Sequence, residues 1–104
     1  METIGKISLH QQGAFVAKLQ CRYSVDGTTW EHADGSGDIL VGQTKAIEPN
    51  VPTGSKVSAY IFVVWGSDKT ANEIFLFEKG NSRTANYTIT GTTLDSSLSF
   101  NGIS

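Results

Sequence analysis

From Phe15 to Tyr23 the chain alternates, with Phe15, Ala17, Leu19, Cys21 and Tyr23 on one side of the pattern and Val16, Lys18, Gln20 and Arg22 on the other. Successive side chains of a strand point to opposite faces, so a period of two describes a ribbon with one dry face and one largely wet face. The same logic predicts strands over Thr3–Leu9, Ala14–Val25, Thr28–Ala33, Gly37–Val41, Thr44–Glu48, Lys56–Val64, Glu73–Phe77, Ala85–Thr90 and Ser97–Asn101. No stretch repeats apolar positions at helical spacing without interruption by Gly or a Thr/Ser cluster, so little or no helix is expected.

The segments between these strands are rich in residues that tolerate left-handed backbone: Asp26-Gly27, Asp34-Gly35-Ser36-Gly37, Pro52-Thr53-Gly54, Gly66-Ser67-Asp68, Lys79-Gly80-Asn81-Ser82 and Asn101-Gly102. Asp26-Gly27 is the clearest hairpin signal and predicts antiparallel pairing of the strands on either side of it. Lys56–Val64 differs from its neighbours. Val57, Ala59, Ile61 and Val63 fill one face, while Tyr60, Phe62 and Val64 make the other apolar too, as in a central strand or one covered by loops or a partner. Closely spaced short strands predict an all-β fold, an antiparallel β-sandwich of about 8–9 strands. No linker or repeat divides residues 1–104, which are read as one domain.

Composition narrows the function classes. A chain of 104 residues with 38% apolar and 17% charged residues supports a single packed core and excludes a charge-rich disordered segment. The net charge is −2 and no run of Lys or Arg occurs, which removes the main source of affinity for nucleic acid and for anionic membranes. The longest apolar run, Tyr60–Trp65, falls far short of the ~20 residues that span a bilayer, so a soluble chain without a membrane span is expected. The N-terminus lacks a basic region followed by an apolar run, so any release from the cell is expected to follow a non-classical route. Cys21, the only cysteine, lies on the dry side of its strand and is read as core.

Catalytic chemistry is not apparent. His10 and His32 stand outside any metal-ligand spacing, and Ser36 and Ser67 lack the GxSxG turn that exposes a nucleophile. No catalytic residue, metal ligand set or cofactor is predicted. The loop from Asp34 through Ser36 to Asp38 carries oxygen side chains at alternate positions, as calcium loops do, yet Ile39 and Lys45 occupy the positions where an EF-hand needs Gly and Glu. A turn, or a weak site for calcium or sugar hydroxyls, is the expectation there.

Phe15, Tyr23, Phe62, Phe75, Phe77, Tyr87 and Phe100 fall within strands and are read as core. Trp30 and Trp65 differ, because each sits at a strand end beside a polar, glycine-containing loop. A flat ring with an apolar body and one N–H can stack on a sugar or enter a lipid interface from such a position. The predicted ligand-binding set is Trp30, Asp34, Ser36, Asp38, Trp65 and Asp68.

Gly13-Ala14-Phe15-Val16-Ala17-Lys18-Leu19-Gln20-Cys21-Arg22-Tyr23, then Leu40-Val41-Gly42-Gln43-Thr44-Lys45-Ala46-Ile47-Glu48, the Pro52-Thr53-Gly54 turn and the closing Gly91-Thr92-Thr93-Leu94 resemble a family of small β-sandwich domains described in nematodes. That family is named for its up-regulation in long-lived insulin-receptor mutants and has bacterial and fungal relatives. The likeness covers most of the chain and brings no catalytic residues with it. In architecture the chain also resembles the small aegerolysin-like and insecticidal β-sandwich proteins that attach to glycans or lipids on target cells. These resemblances imply a non-enzymatic module of lectin or toxin type that meets a cell-surface glycan or lipid through its loops. The alternative is a protein-interaction or self-assembly module, a homo-oligomer included, that uses a β-edge or apolar sheet face.

Overall fold

The alternating segments become strands in the computed structural model, which describes residues 1–33 and 35–104. In chain order these are β1 (Thr3–Ile4), β2 (Lys6–Gln11), β3 (Ala17–Ser24), β4 (Glu31–Ala33), β5 (Asp38–Ile39), β6 (Thr44–Ile47), β7 (Lys56–Val63), β8 (Lys69–Thr70), β9 (Phe75–Phe77), β10 (Thr84–Thr92) and β11 (Asp95–Ile103). One sheet runs β1-β9-β7-β3-β4, with β5 also pairing β3 and β8 also pairing β7; the other runs β11-β10-β2-β6. No helix occurs among the described residues. The fold is the expected all-β sandwich.

Most pairings are antiparallel, including the long β3–β7 ladder from Ala17↔Val63 to Ser24↔Lys56. Two are parallel, β1 with β9 and β2 with β10, so the sheets are mixed. Thr3–Leu9 reads as one strand but divides at Gly5, because the chain leaves the first sheet and enters the second. A side chain at Gly5 has no room, since a Cβ would lie 2.0 Å from the Asn81 carbonyl oxygen.

Asp26-Gly27 closes the β3–β4 hairpin as expected, with Cys21↔Ala33, Arg22↔His32 and Tyr23↔Glu31 in register. The Asp26 carboxylate accepts the N–H groups of Thr29 and Thr28, both at 2.8 Å, and the Ser24 hydroxyl. Those bonds, the Thr29 and Thr28 amides first, hold its carboxyl far below the usual range.

Ile4, Ile7, Leu9, Leu19, Ile39, Val57, Ile61, Phe77 and Ile89 are fully or almost fully shielded from water between the sheets. Cys21 is buried among them, and burial pushes its thiol up to about 12. Phe75 and Tyr87 also belong to the core, while Phe15 and Tyr23 pack against its margin. Phe62 and Phe100 depart from the expectation. Phe62 lies on the outward face of β7 beneath the Lys18 ammonium, and Phe100 lies on the edge strand β11; both remain partly open to water. Strand alternation placed them correctly within strands, but it cannot say whether a second layer covers their face.

Candidate functional site

Four connections meet at one end of the sandwich. β3 runs away from this end and β7 runs toward it, as their Ala17↔Val63 pairing requires. The 12–16 loop precedes β3, the 64–68 turn follows β7, the 40–43 turn joins β5 to β6, and Thr93-Leu94 caps the β10–β11 hairpin.

Backbone hydrogen bonds and one close approach fasten the four together. Gly42 donates to the Gln11 carbonyl at 2.6 Å and Gln11 to that of Gln43 at 2.9 Å, which ties the 40–43 turn to the end of β2. Ala14 donates to the Gly91 carbonyl at 2.9 Å and Val64 to that of Val16 at 3.0 Å, linking the 12–16 loop to both neighbours. Gly66 completes the ring. A Cβ at this position would lie 2.0 Å from the Thr93 carbonyl oxygen, so only glycine lets the 64–68 turn seat against the hairpin. Beneath them the buried Gln11 side chain accepts from the Gly13 N–H at 2.6 Å and donates to the Phe15 carbonyl. This brace makes residues 12–16 a loop where a continuous strand from Ala14 was expected.

The ring presents four large apolar side chains outward, beside the uncharged polar Gln12, Gln43 and Ser67. Trp65 is 92% exposed, Leu94 81%, Val41 64% and Leu40 50%. The other exposed large apolar residues, Met1, Val25, Phe62, Ile74 and Phe100, lie outside these four connections, and exposed apolar residues are ordinary on a protein surface. The tip loops 12–16, 40–43, 64–67 and 93–94 contain no Asp, Glu, Lys or Arg. Charged side chains begin one step behind, at Asp38, Asp68 and Asp95.

Trp65 is held in an unusual backbone state. Its φ is 63°, and it is the one non-glycine residue with positive φ among those described. A bulky residue rarely adopts this region, because its Cβ crowds the neighbouring carbonyl. The turn is fixed on both sides. Gly66 donates to the Val63 carbonyl at 3.1 Å, and Asp68 accepts the Val63 N–H at 3.1 Å and the Tyr60 hydroxyl. The bond to the Asp68 carboxylate, with burial second, pushes the Tyr60 phenol up to about 12.

The predicted site residues divide between locations. Trp65 stands on the tip, and Asp68 braces the turn that carries it. Ser36 lies along the side of β3, where its hydroxyl accepts the Leu19 N–H at 3.0 Å and donates to the Gly37 carbonyl. Asp38, in β5, pairs with Lys18 at 3.8 Å, and its carbonyl accepts from the Lys45 ammonium at 2.7 Å. Asp34 lies outside the described residues. Trp30 is at the opposite end of the sheet, half-buried, with the Arg22 guanidinium 5.0 Å from its ring centre. Trp30 and Trp65 therefore do not converge. Among the described residues no group of three or more His, Cys, Asp or Glu is placed to hold a metal ion.

Leu40, Val41 and Leu94 belong to the tip and were absent from the predicted set. Their signal is present in the chain. Each lies in or beside a glycine-bearing connection, Leu40-Val41-Gly42 and Gly91-Thr92-Thr93-Leu94, where a polar residue is the ordinary choice.

No protein-family model and no curated protein matches the chain. Solved structures do. "Structure of the membrane-binding domain of pneumolysin" matches over 94% of this chain and 96% of that one, at 22% identity and TM-score 0.54. "Crystal structure of listeriolysin O" matches over 92% of this chain at 20% identity and TM-score 0.54, and "Structure of pneumolysin at 1.98 A resolution" over 92% at 22% identity and TM-score 0.51. The chain spans only 22% of the listeriolysin O chain and 23% of that pneumolysin chain. At this level of identity the likeness establishes a shared fold and nothing further: the chain has the β-sandwich architecture seen in these structures.

Proposed function

We propose that this domain attaches to lipid bilayers through its apolar tip, with Trp65, Leu94, Val41 and Leu40 entering the interface. The observation that carries this reading is the convergence of four water-exposed apolar side chains, from three separate turns, on tip loops that carry no charged side chain, with Asp38, Asp68 and Asp95 one step behind. Burying one large apolar side chain contributes about 1.5–3 kcal/mol. Together the four can offset the loss of freedom on docking, which a single one cannot. Uncharged loops avoid the cost of taking ions out of water. Tryptophan suits the outer layer of a membrane, where its ring body meets acyl chains and its N–H meets headgroups. The full-length match to a domain described as membrane-binding supports the same reading.

Docking in this form is a surface event. The apolar strand β7 is committed to the core, with Val57, Ala59, Ile61 and Val63 buried, so it is not available as a membrane-perforating segment. Vesicles filled with dye should retain it while binding the protein.

Trp65 supplies its own reporter once Trp30→Phe removes the other indole. Flotation with phosphatidylcholine vesicles should carry this variant to the lipid fraction and shift its emission to the blue. Protein left behind by the vesicles, with unshifted emission, would overturn the proposal.

A further inference from the structure

The geometry points to a second site, at the opposite end of the first sheet, in which Arg22 receives the carboxylate of an acidic sugar. Arg22 projects from the outward face of β3, since Leu19 and Cys21 on the alternate positions are buried. Its guanidinium stacks on Trp30, its cross-strand partner is the exposed His32, and the His32 ring meets Tyr60 edge-on at 4.7 Å. Stacking fixes the plane of the guanidinium, and no hydrogen bond from it to another described residue occurs. The ion pairs among the described residues are Lys18–Asp38 and Arg83–Glu2, and neither involves Arg22. The Arg22 Nε is buried with no hydrogen-bond partner. The two terminal nitrogens of Arg22 are not buried in this way, so a ligand from solvent would meet the guanidinium through that outer edge.

Among the described residues the nearby carboxylates do not fill that place. Glu31 is paired with Tyr23 and so belongs to the other face of the ribbon, while Asp68 is engaged by the Tyr60 hydroxyl and the Val63 amide. A rigid guanidinium beside an imidazole suits a planar oxyanion, which arginine grips with two parallel N–H bonds.

Height above the bilayer selects the source of that oxyanion, and this step rests on docking through the tip. Arg22 lies five positions beyond Ala17 on β3, roughly 17 Å at the rise of an extended chain. The headgroup layer of one leaflet is only about 5–8 Å thick. Lipid phosphates are therefore out of reach of Arg22 when the tip rests at the interface, whereas a glycan standing off the membrane is not.

The test needs no membrane, so its outcome is independent of docking. In a Trp65→Phe variant the remaining indole is Trp30, and its fluorescence is titrated with N-acetylneuraminate, glucuronate, galactose and inorganic phosphate at constant ionic strength. The acidic sugars should give a saturable change that galactose does not. Arg22→Lys, which keeps the charge and removes the fork, should weaken it by about tenfold, and exposed His32→Ala should weaken it in the same direction should Arg22→Lys fail to fold. No saturable response, or a response unaltered in a folded Arg22→Lys protein, overturns the site. A response to phosphate as strong as that to the sugars overturns the sugar assignment.

Discussion

Trp65 and Trp30 sit at opposite ends of one sheet, separated by the eight-residue strand β3, and their surroundings are opposites. Trp65 is almost wholly in water, on strained backbone, among apolar neighbours from other turns. Trp30 is half-buried, without the positive φ of Trp65, and has a cation against its ring. Packing explains Trp30, which covers the Arg22 stem and gains a cation–π contact. Nothing in packing explains Trp65. A side chain that contributes little to the fold, yet is held where its backbone is disfavoured, marks a place where structure serves contact with something outside the molecule.

The sharpest way to break this contrast is to remove each indole in turn and measure vesicle binding. Trp65→Ala should lose docking by roughly 10-fold to more than 100-fold, the equivalent of about 1.5–3 kcal/mol of apolar transfer, with little change in melting temperature. Trp30→Ala should do the reverse, lowering the melting temperature and leaving vesicle affinity intact. Equal losses of docking from both variants would erase the functional difference between the two ends.

Gly66→Ala comes next. The new methyl would collide with the Thr93 carbonyl, a backbone atom that can move only if the turn or the hairpin shifts. Overpacking of this kind costs about 1–3 kcal/mol, and docking should fall as well because Trp65 and Leu94 separate. Chemical denaturation and flotation on the same protein check both halves. A variant that is destabilised but docks normally would show that the two turns act independently.

Why the two tryptophans looked alike in the sequence is instructive. Each ends a strand beside a polar loop with a glycine, and that is all a local pattern can register. What separates them is the antiparallel pairing of β3 with β7, a contact between distant segments that puts the turn after Val63 beside Ala17 and the hairpin after Ser24 at the far end. Features set by neighbours in the chain were legible: the alternation around Leu19 and Cys21, the Asp26-Gly27 hairpin, the central character of Lys56–Val64. Features set across the chain were not. Gly5 divides one apparent strand because two sheets must be reached, and the parallel pairings that follow leave no mark on the residues around it. Asp68 was recognised as a loop carboxylate, but its two acceptor bonds into the Trp65 turn depend on Tyr60 and Val63 facing it across that turn. The tip itself was half legible, through Trp65 but not through Leu94 and Val41, since turn residues are read for backbone freedom before they are read for what they present to solvent.

The strain at Trp65 can be isolated by comparing Trp65→Gly with Trp65→Ala. Glycine occupies the left-handed region freely, whereas alanine keeps the steric penalty of a Cβ there. Both variants lose the indole, so both should dock poorly. Trp65→Gly should nevertheless be the more stable by about 1 kcal/mol, which corresponds to about 4–8 °C in melting temperature for a domain of this size. Equal melting temperatures would mean that the turn relaxes once the ring is gone, and that the strain belongs to the side chain's own placement rather than to the 64–68 backbone.

The smallest effect lies behind the turn, at Tyr60. Its phenol is held neutral by donating to the Asp68 carboxylate, and its ionisation moves up from 10.0 to about 12. For a group whose ionisation is raised in the folded state, the stabilisation is complete below its unfolded value and is lost as pH climbs through the folded one. The protein should therefore hold its Tyr60 contribution up to about pH 10 and surrender it between there and about pH 12. Tyr60→Phe has no such proton to lose. Near neutral pH it should be less stable than the parent by under about 1 kcal/mol, because the bond is largely exposed to water. Melting curves taken across the alkaline range should show the gap between the two proteins closing as the parent's phenol ionises, and a gap that stays constant to pH 12 would mean that the Asp68 bond does not hold this turn.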